Sequence, residues 1–238
     1  MGRLRWEPGE IAEVTPETAR VKSLTIELPS WPGHRAGQHV DVRLTAEDGY
    51  QAVRSYSVSS PPEPRRVTVT VERIDDGEVS PYLVDEARPG DFLEVRGPIG
   101  GYFVWEPNLG GPLFLVAGGS GVVPLASMVR HRAELDGNVP VRLLYSSRSA
   151  AEAIFREELE RLAQVTHTFT RSAPPGEPGY RRRIDREMLA EVSWPASEDP
   201  LAYVCGPTRL GEQVAADLVE LGYDPMRVKT ERFGPTGG

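Results

Sequence analysis

Hydrophobic and polar positions along this chain follow two different periods, and the change between them falls near residue 106. Up to about Tyr102, apolar residues recur at every second position: Leu24, Ile26 and Leu28, then Val40, Val42 and Leu44, then Val67, Val69 and Val71. Residues 92–95 add a further short strand, and residues 54–57 read as extended chain. Period-two alternation means sheet with one buried face. Pro32-Gly33, Asp48-Gly49, Pro61-Pro62, Asp76-Gly77 and Pro89-Gly90 mark turns between the runs. About six short strands at this spacing predict a small antiparallel barrel over residues 1–106. One short helix interrupts it, starting at Ser80-Pro81 in cap-then-proline order.

From residue 107 to 238 the pattern is that of a parallel sheet with helices on both faces. Residues 113–117 are continuously apolar, the mark of a strand buried on both sides. A helix over 124–134 follows, then a strand at 141–145 and a helix at 150–163 opened by a Ser149/Glu152 capping box. A strand at 165–170, a helix at 185–191, a strand at 201–204 and a helix at 208–221 stopped by Gly222 complete the alternation, with a last strand at 226–231. The Pro- and Gly-rich stretch 172–180 is expected to be a mobile loop.

Composition narrows the chemistry. A net charge of -8 over 238 residues leaves no basic stripe for nucleic acid. A single cysteine, Cys205, forbids a disulfide within the chain and fits a reducing, cytoplasmic setting. It also forbids an iron–sulfur cluster, which needs four cysteines, or two with two histidines. His34, His39, His131 and His167 have no metal-ligand spacing, so no metal is expected. No apolar run approaches the ~18 residues of a membrane span, and the N-terminus lacks the apolar core of a signal peptide.

Four stretches carry candidate chemistry. Arg54, Ser55, Tyr56 and Ser57 offer a guanidinium fork, a flat ring and two hydroxyls on one strand, groups suited to a planar ligand bearing phosphate. Residues 118–124 (Gly-Gly-Ser-Gly-Val-Val-Pro) join a buried strand to a helix, where glycines admit a ligand to the backbone and the helix start favours an anion. The string is neither a Walker loop nor the strict GxGxxG fingerprint; tight packing is the competing explanation. Ser147-Arg148 and Cys205-Gly206-Pro207 lie at the carboxyl ends of predicted strands, where ligands of open parallel sheets collect.

In this order the motifs resemble the ferredoxin–NADP reductase family of flavoproteins. They are Arg54 to Ser57, Gly77-Glu78-Val79-Ser80, Gly118 to Pro124, Ser147-Arg148, Cys205-Gly206-Pro207 and the ending Glu231-Arg232-Phe233-Gly234. The resemblance covers nearly the whole chain. It implies a flavin-binding barrel over 1–106, a nucleotide-binding α/β domain over 107–238, and hydride transfer from NAD(P)H to FAD. Electrons would then pass to a separate acceptor such as ferredoxin, flavodoxin or an oxygenase component. A small-molecule acceptor (free flavin or a quinone) and a non-catalytic flavin- or nucleotide-binding sensor or subunit stay open beside that reading.

The resemblance also implies roles. Arg54 would hold the flavin phosphate, Tyr56 stack on the ring and Ser57 sit near its N5, with Ser55 in the same motif. Arg73 and the turn of Gly77, Val79 and Ser80 would bind the FAD pyrophosphate. Gly118, Gly119, Ser120, Gly121, Val122 and Pro124 would cradle the nucleotide pyrophosphate. Ser147, Arg148 and Arg183 would face a 2′-phosphate, favouring NADPH over NADH. Cys205 would lie near the nicotinamide, with Gly206 and Pro207 in the same turn, and Glu231 and Phe233 near the flavin's reactive edge. Ser57, Cys205 and Glu231 are thus the expected catalytic residues. Two features depart from the family pattern: Arg182 stands where glycine is common, and the tail ends in Gly-Gly without a terminal tyrosine.

Overall fold

The computed structural model describes residues 4–135, 139–173 and 175–233. The chain divides into two compact units, residues 1–104 and 105–238.

The first unit is a six-stranded antiparallel sheet in the order β4-β3-β6-β1-β2-β5. Its strands are β1 (Glu7–Thr18), β2 (Val21–Glu27), β3 (His39–Thr45), β4 (Gln51–Ser57), β5 (Arg66–Glu72) and β6 (Phe92–Ile99). A bridge between Val58 and Val69 brings the two edge strands together, which closes the sheet on itself. The alternating residues named above fill the interior: Leu24, Ile26, Val40, Val42, Val67, Val69 and Val71 are all buried, with Trp31 and Leu83. Gly9 on β1 is required by this packing, because a Cβ there would lie 2.5 Å from Cγ2 of Ile26.

Ser80 behaves differently from the predicted helix cap. A single helical turn does follow, at Tyr82–Glu86, but its N-cap is Pro81 and no side chain caps it. The Ser80 hydroxyl instead accepts from Ile74 N–H at 3.0 Å, closing the loop that leaves β5.

The second unit is a parallel five-stranded sheet in the order β11-β10-β7-β8-β9. Its strands are β7 (Leu113–Gly118), β8 (Val141–Ser149), β9 (Gln164–Ser172), β10 (Leu201–Pro207) and β11 (Val228–Phe233). The helices are α1 (Val122–Glu134), α2 (Arg156–Leu162), α3 (Arg186–Val192) and α4 (Thr208–Glu220). All six residues of the central strand β7 are buried, as its unbroken apolar run requires. Asp185 caps α3 by accepting from Met188 N–H at 2.9 Å.

The helix expected over 150–163 is broken. A turn at Ala150–Glu152 is followed by extended backbone at Ala153, and α2 starts only after Phe155, whose φ is +56°. Ala153, Ile154 and Phe155 are consecutive and all buried, which no single face of a helix can achieve. Ser149 donates to Glu152 at 3.0 Å, a side-chain pair that caps no helix. Among the described residues, no helix is long and apolar enough to cross a membrane.

Candidate functional site

In the first unit the candidate groups lie on β4 and on the loop after β5. The pleat of β4 turns Ala52, Arg54 and Tyr56 to one side, and Val53 and Ser55 to the other. Tyr56 packs against the barrel core, and burial pushes its phenol well above the usual range, with the Arg54 charge opposing. Ser55 donates to Asp41 Oδ1 at 2.6 Å, and Asp41 Oδ2 pairs with Arg96, also at 2.6 Å. The structure therefore places Ser55 in an ion-pair network on the opposite side from Arg54. Ser57 is buried and stands directly across the β3–β4 ladder from His39. Directly paired residues share a face, so a half-buried imidazole neighbours the Ser57 hydroxyl.

Arg54 donates from Nη1 to its neighbour's carbonyl, Val53 O, at 2.8 Å. Its Nη2 pairs with Glu78 Oε2, and the other oxygen of Glu78 accepts from the Tyr50 hydroxyl at 2.6 Å. Glu78 is held below the ordinary carboxylate range, chiefly by the Tyr50 hydroxyl, with the Arg54 guanidinium adding. Arg73 is committed to two carboxylates, Asp85 at 2.7 Å and Asp75. The Gly77 turn is tight, since a Cβ there would lie 3.0 Å from Ser80 Oγ. Val79 and Ser80 are buried behind it.

In the second unit the candidate residues gather at the carboxyl ends of β7, β8, β10 and β11. The turn Gly119–Gly121 links β7 to α1. Gly118 and Gly121 pack on the β10 end: a Cβ on Gly118 would meet Pro207 Cδ at 3.0 Å, and one on Gly121 would overlap the Cys205 carbonyl. Gly206, at φ +155°, completes this backbone contact, with Gly118 Cα 3.1 Å from where its Cβ would be. Gly119 is different: its φ is +57° and nothing lies within 4 Å of a Cβ there. Val122 and Pro124 are buried in the first turn of α1, and Ser120 is half-buried beside them.

Cys205 on β10 and Glu231 on β11 are direct partners in the parallel ladder. Burial pushes the Cys205 thiol well up, and the Glu231 charge pushes it further. Burial alone raises Glu231 to about 7, and its Oε2 has no hydrogen-bond partner among the described residues. Phe233 ends β11 and is exposed. Residues 234–238, including the Gly234 of the predicted ending and the Gly-Gly tail, lie outside the described residues.

The Ser147 hydroxyl is buried and donates to Ser149 O at 2.8 Å, so it shapes the β8 end. Arg148 is exposed, with Glu152 at 3.6 Å. Arg182 is taken up by Asp185 at 3.0 Å and Glu187 at 3.3 Å. Arg183 is exposed and makes no ion pair among the described residues.

Two family models match the chain in sequence: an oxidoreductase FAD-binding domain over residues 9–104 and an oxidoreductase NAD-binding domain over residues 115–216. The chain belongs to the ferredoxin reductase-like family. The glycine betaine monooxygenase reductase subunit of Pseudomonas aeruginosa is 34% identical over 210 residues, covering 85% of this chain and 57% of that protein. A flavohemoprotein of Bacillus cereus is 32% identical over 84% of this chain and 53% of its own length. The chain thus spans a little over half of these relatives. The FAD/NAD-binding domain of a nitric oxide dioxygenase from Vibrio cholerae superposes with a TM-score of 0.85 at 27% identity, covering 96% of this chain and 99% of that domain.

The side chains present fit the two cofactors of a ferredoxin reductase-like protein. Glu78 already stands as an anion at the Arg54 fork, where a phosphate would bind. Gly119 leaves an open cradle at the helix start. Two residues stand out only in the folded chain. His39 is one, brought to Ser57 by strand pairing, whereas Glu78, already within the Gly77–Ser80 motif, is brought to Arg54 by the loop after β5. Arg171 is the other. It is exposed, one residue from the end of β9, within the register irregularity between the Ser147–Phe169 and Ser149–Ser172 pairs, the same irregularity that holds Arg148 on β8. Its position at a strand end was the available signal, since that rule had already singled out Arg148.

Proposed function

We propose that this chain is an FAD-dependent NAD(P)H oxidoreductase that passes electrons to a separate redox acceptor. The flavin is held by the N-terminal unit and NAD(P)H by the C-terminal unit. Flavin bound there would supply the redox chemistry, hydride acceptance from the nicotinamide and onward electron release. The observation that carries the reading is the presence, on one chain, of a strand arginine gripping an anion and a glycine turn left open at a helix start.

The chain's own residues bind and orient. Arg54 takes the flavin phosphate through its guanidinium fork. Tyr56 lays its ring against the flavin. Ser57 donates its hydroxyl hydrogen to the ring. Gly77, Val79 and Ser80, with Arg73, form the turn for the pyrophosphate of FAD. Gly118 to Pro124 and Cys205 to Pro207 hold the nicotinamide nucleotide, with Gly119 the point of closest backbone approach. The neutral Cys205 thiol gives the nicotinamide an uncharged wall. Glu231 holds a proton near neutral pH beside it, and Phe233 closes the strand end.

The exposed guanidinium groups of Arg148, Arg171 and Arg183 would supply the cations that favour NADPH. The relatives named as oxygenase reductase components support an oxygenase component or other small redox protein as the acceptor. The lone cysteine supports a cytoplasmic setting.

Anaerobic titration of the purified protein with NADPH and with NADH tests this reading, with the flavin identified after release. Bleaching of the flavin absorbance is expected, at lower concentration for NADPH. Full flavin absorbance in the presence of both nucleotides would refute it.

A further inference from the structure

We infer that the first unit carries a further ligand site, a groove at the Ser57 end of the barrel that takes a quinone with an apolar substituent as electron acceptor. The inference rests on the reading above, in which NAD(P)H supplies electrons through a flavin beside Ser57. The groove has a volume of about 1010 Å³, at the upper end of small-ligand sites. Every residue lining it belongs to the first unit. Its walls are largely apolar, with the flat rings of Pro32, Pro62 and Pro98 beside Leu4 and Ile99. Such walls suit a planar ring and a hydrocarbon chain.

Strand pairing ties the groove to the flavin seat. Ser57 on β4 pairs with His39 on β3, and His39 pairs in turn with Ile99 on β6. The three residues form one row across adjacent strands, so Ile99 stands about 10 Å from Ser57, two strand spacings away. Gly100 continues the groove against the same imidazole, since a Cβ on it would lie 3.6 Å from His39 Nδ1. Leu4 precedes β1 and is held in place through Trp6, whose ring is clamped between the guanidinium groups of Arg43 and Arg96, at 4.3 and 4.6 Å from its centre. The Gln38 amide is spent on its own turn, accepting from Arg35 N–H at 2.7 Å and donating to Gly100 O at 2.6 Å. The Arg35 side chain is exposed and makes no ion pair among the described residues, and its Nη2 lies 3.6 Å from where a Cβ on Gly101 would be. It can donate to a quinone carbonyl oxygen. With one acid (Glu63) and one base (Arg35) in the lining, the groove suits a neutral ligand rather than an anion. In the reaction both C=O groups of the quinone become C–O–H: two electrons and one proton come from NAD(P)H as its hydride, and the second proton comes from water.

The test uses the full-length, flavin-loaded chain and a decyl-substituted benzoquinone. Binding to the oxidised protein is read by quenching of tryptophan fluorescence. Turnover is read as NADPH-driven reduction of the quinone and, separately, of ferricyanide, a small acceptor that needs no apolar groove. Leu4→Asp and Arg35→Ala change exposed residues, and circular dichroism checks their fold. The expected result is saturable quenching that NADP+ does not displace, weakened about tenfold in Leu4→Asp and about fivefold in Arg35→Ala. The KM for the quinone should rise to match, while Leu4→Asp reduces ferricyanide at the wild-type rate. Quinone affinity unchanged in both variants, or displacement of the quinone by NADP+, would put the ligand outside the groove and overturn the inference. Absence of saturable quenching overturns it too and leaves the groove to a protein partner. Failure of wild type to reduce ferricyanide with NADPH refutes the reductase reading, and electron delivery to the groove with it.

Discussion

Replacing Glu231 by glutamine is expected to abolish a loss of stability that the protein suffers as pH rises toward neutrality. The carboxyl lies on β11, its Oε2 unpartnered among the described residues, and burial lifts its pKa from the ordinary 4.5 to about 7. The folded chain therefore binds this proton more tightly than the unfolded chain does. Between about pH 4.5 and 7 the folded state holds more protons, so stability falls with rising pH across that window and is level on either side. A shift of that size corresponds to at most about 3.4 kcal/mol. The residue is partly exposed, and solvent screening brings the expected loss nearer ~2 kcal/mol.

Glutamine mimics the protonated acid and has no such titration. Urea denaturation of wild type and Glu231→Gln at pH 5 and pH 8, at equal flavin saturation, reads the difference directly. Wild type should lose about 2 kcal/mol more than the variant over that range. Parallel pH dependence of the two proteins would refute the reasoning, because it would mean that Glu231 is ionised and solvated in the folded chain.

Three other outcomes follow from the geometry. Gly121→Ala should cost more than ~3 kcal/mol, seen as a collapse of the melting temperature or of soluble yield, because its Cβ would overlap the Cys205 carbonyl. Gly119→Ala should cost only about 1 kcal/mol through its positive φ, while weakening NADPH and NADH together in binding titrations. Arg171→Ala and Arg148→Ala should each raise the KM for NADPH about tenfold and spare NADH, as loss of a charge-assisted bond to a 2′-phosphate would; equal losses for both nucleotides would remove these residues from the phosphate subsite.

The strands of the second unit were legible because burial on both faces leaves an apolar run that little else produces; β7 and β10 are the clearest cases. In the first unit β2, β3 and β5 declared themselves by alternation, but β1 did not. Of its twelve residues only Gly9 and Ile11 are buried, so its place in the sheet is held by backbone pairing with β2 and β6 rather than by a hydrophobic face. The break before α2 was hidden for a related reason. Charged residues around Ala153, Ile154 and Phe155 resemble an ordinary helix until the fold pulls all three apolar side chains inward.

The glycine turn shows what motif reading can and cannot separate. Ligand approach and tight packing are rival explanations for residues 118–121; the structure shows tight packing at Gly118 and Gly121 and an open turn at Gly119. Gly118 and Gly121 are small because the ends of β7 and β10 press together, backbone on backbone, with Gly206 on the other side of the contact. Gly119 meets no such neighbour and is glycine for its left-handed conformation, which keeps the turn open where α1 begins. The packing glycines draw the Cys205 strand end up to the turn, and the open one leaves the space above it. If the nucleotide binds over the open turn as proposed, substitution at Gly119 should act on binding and substitution at Gly121 on folding.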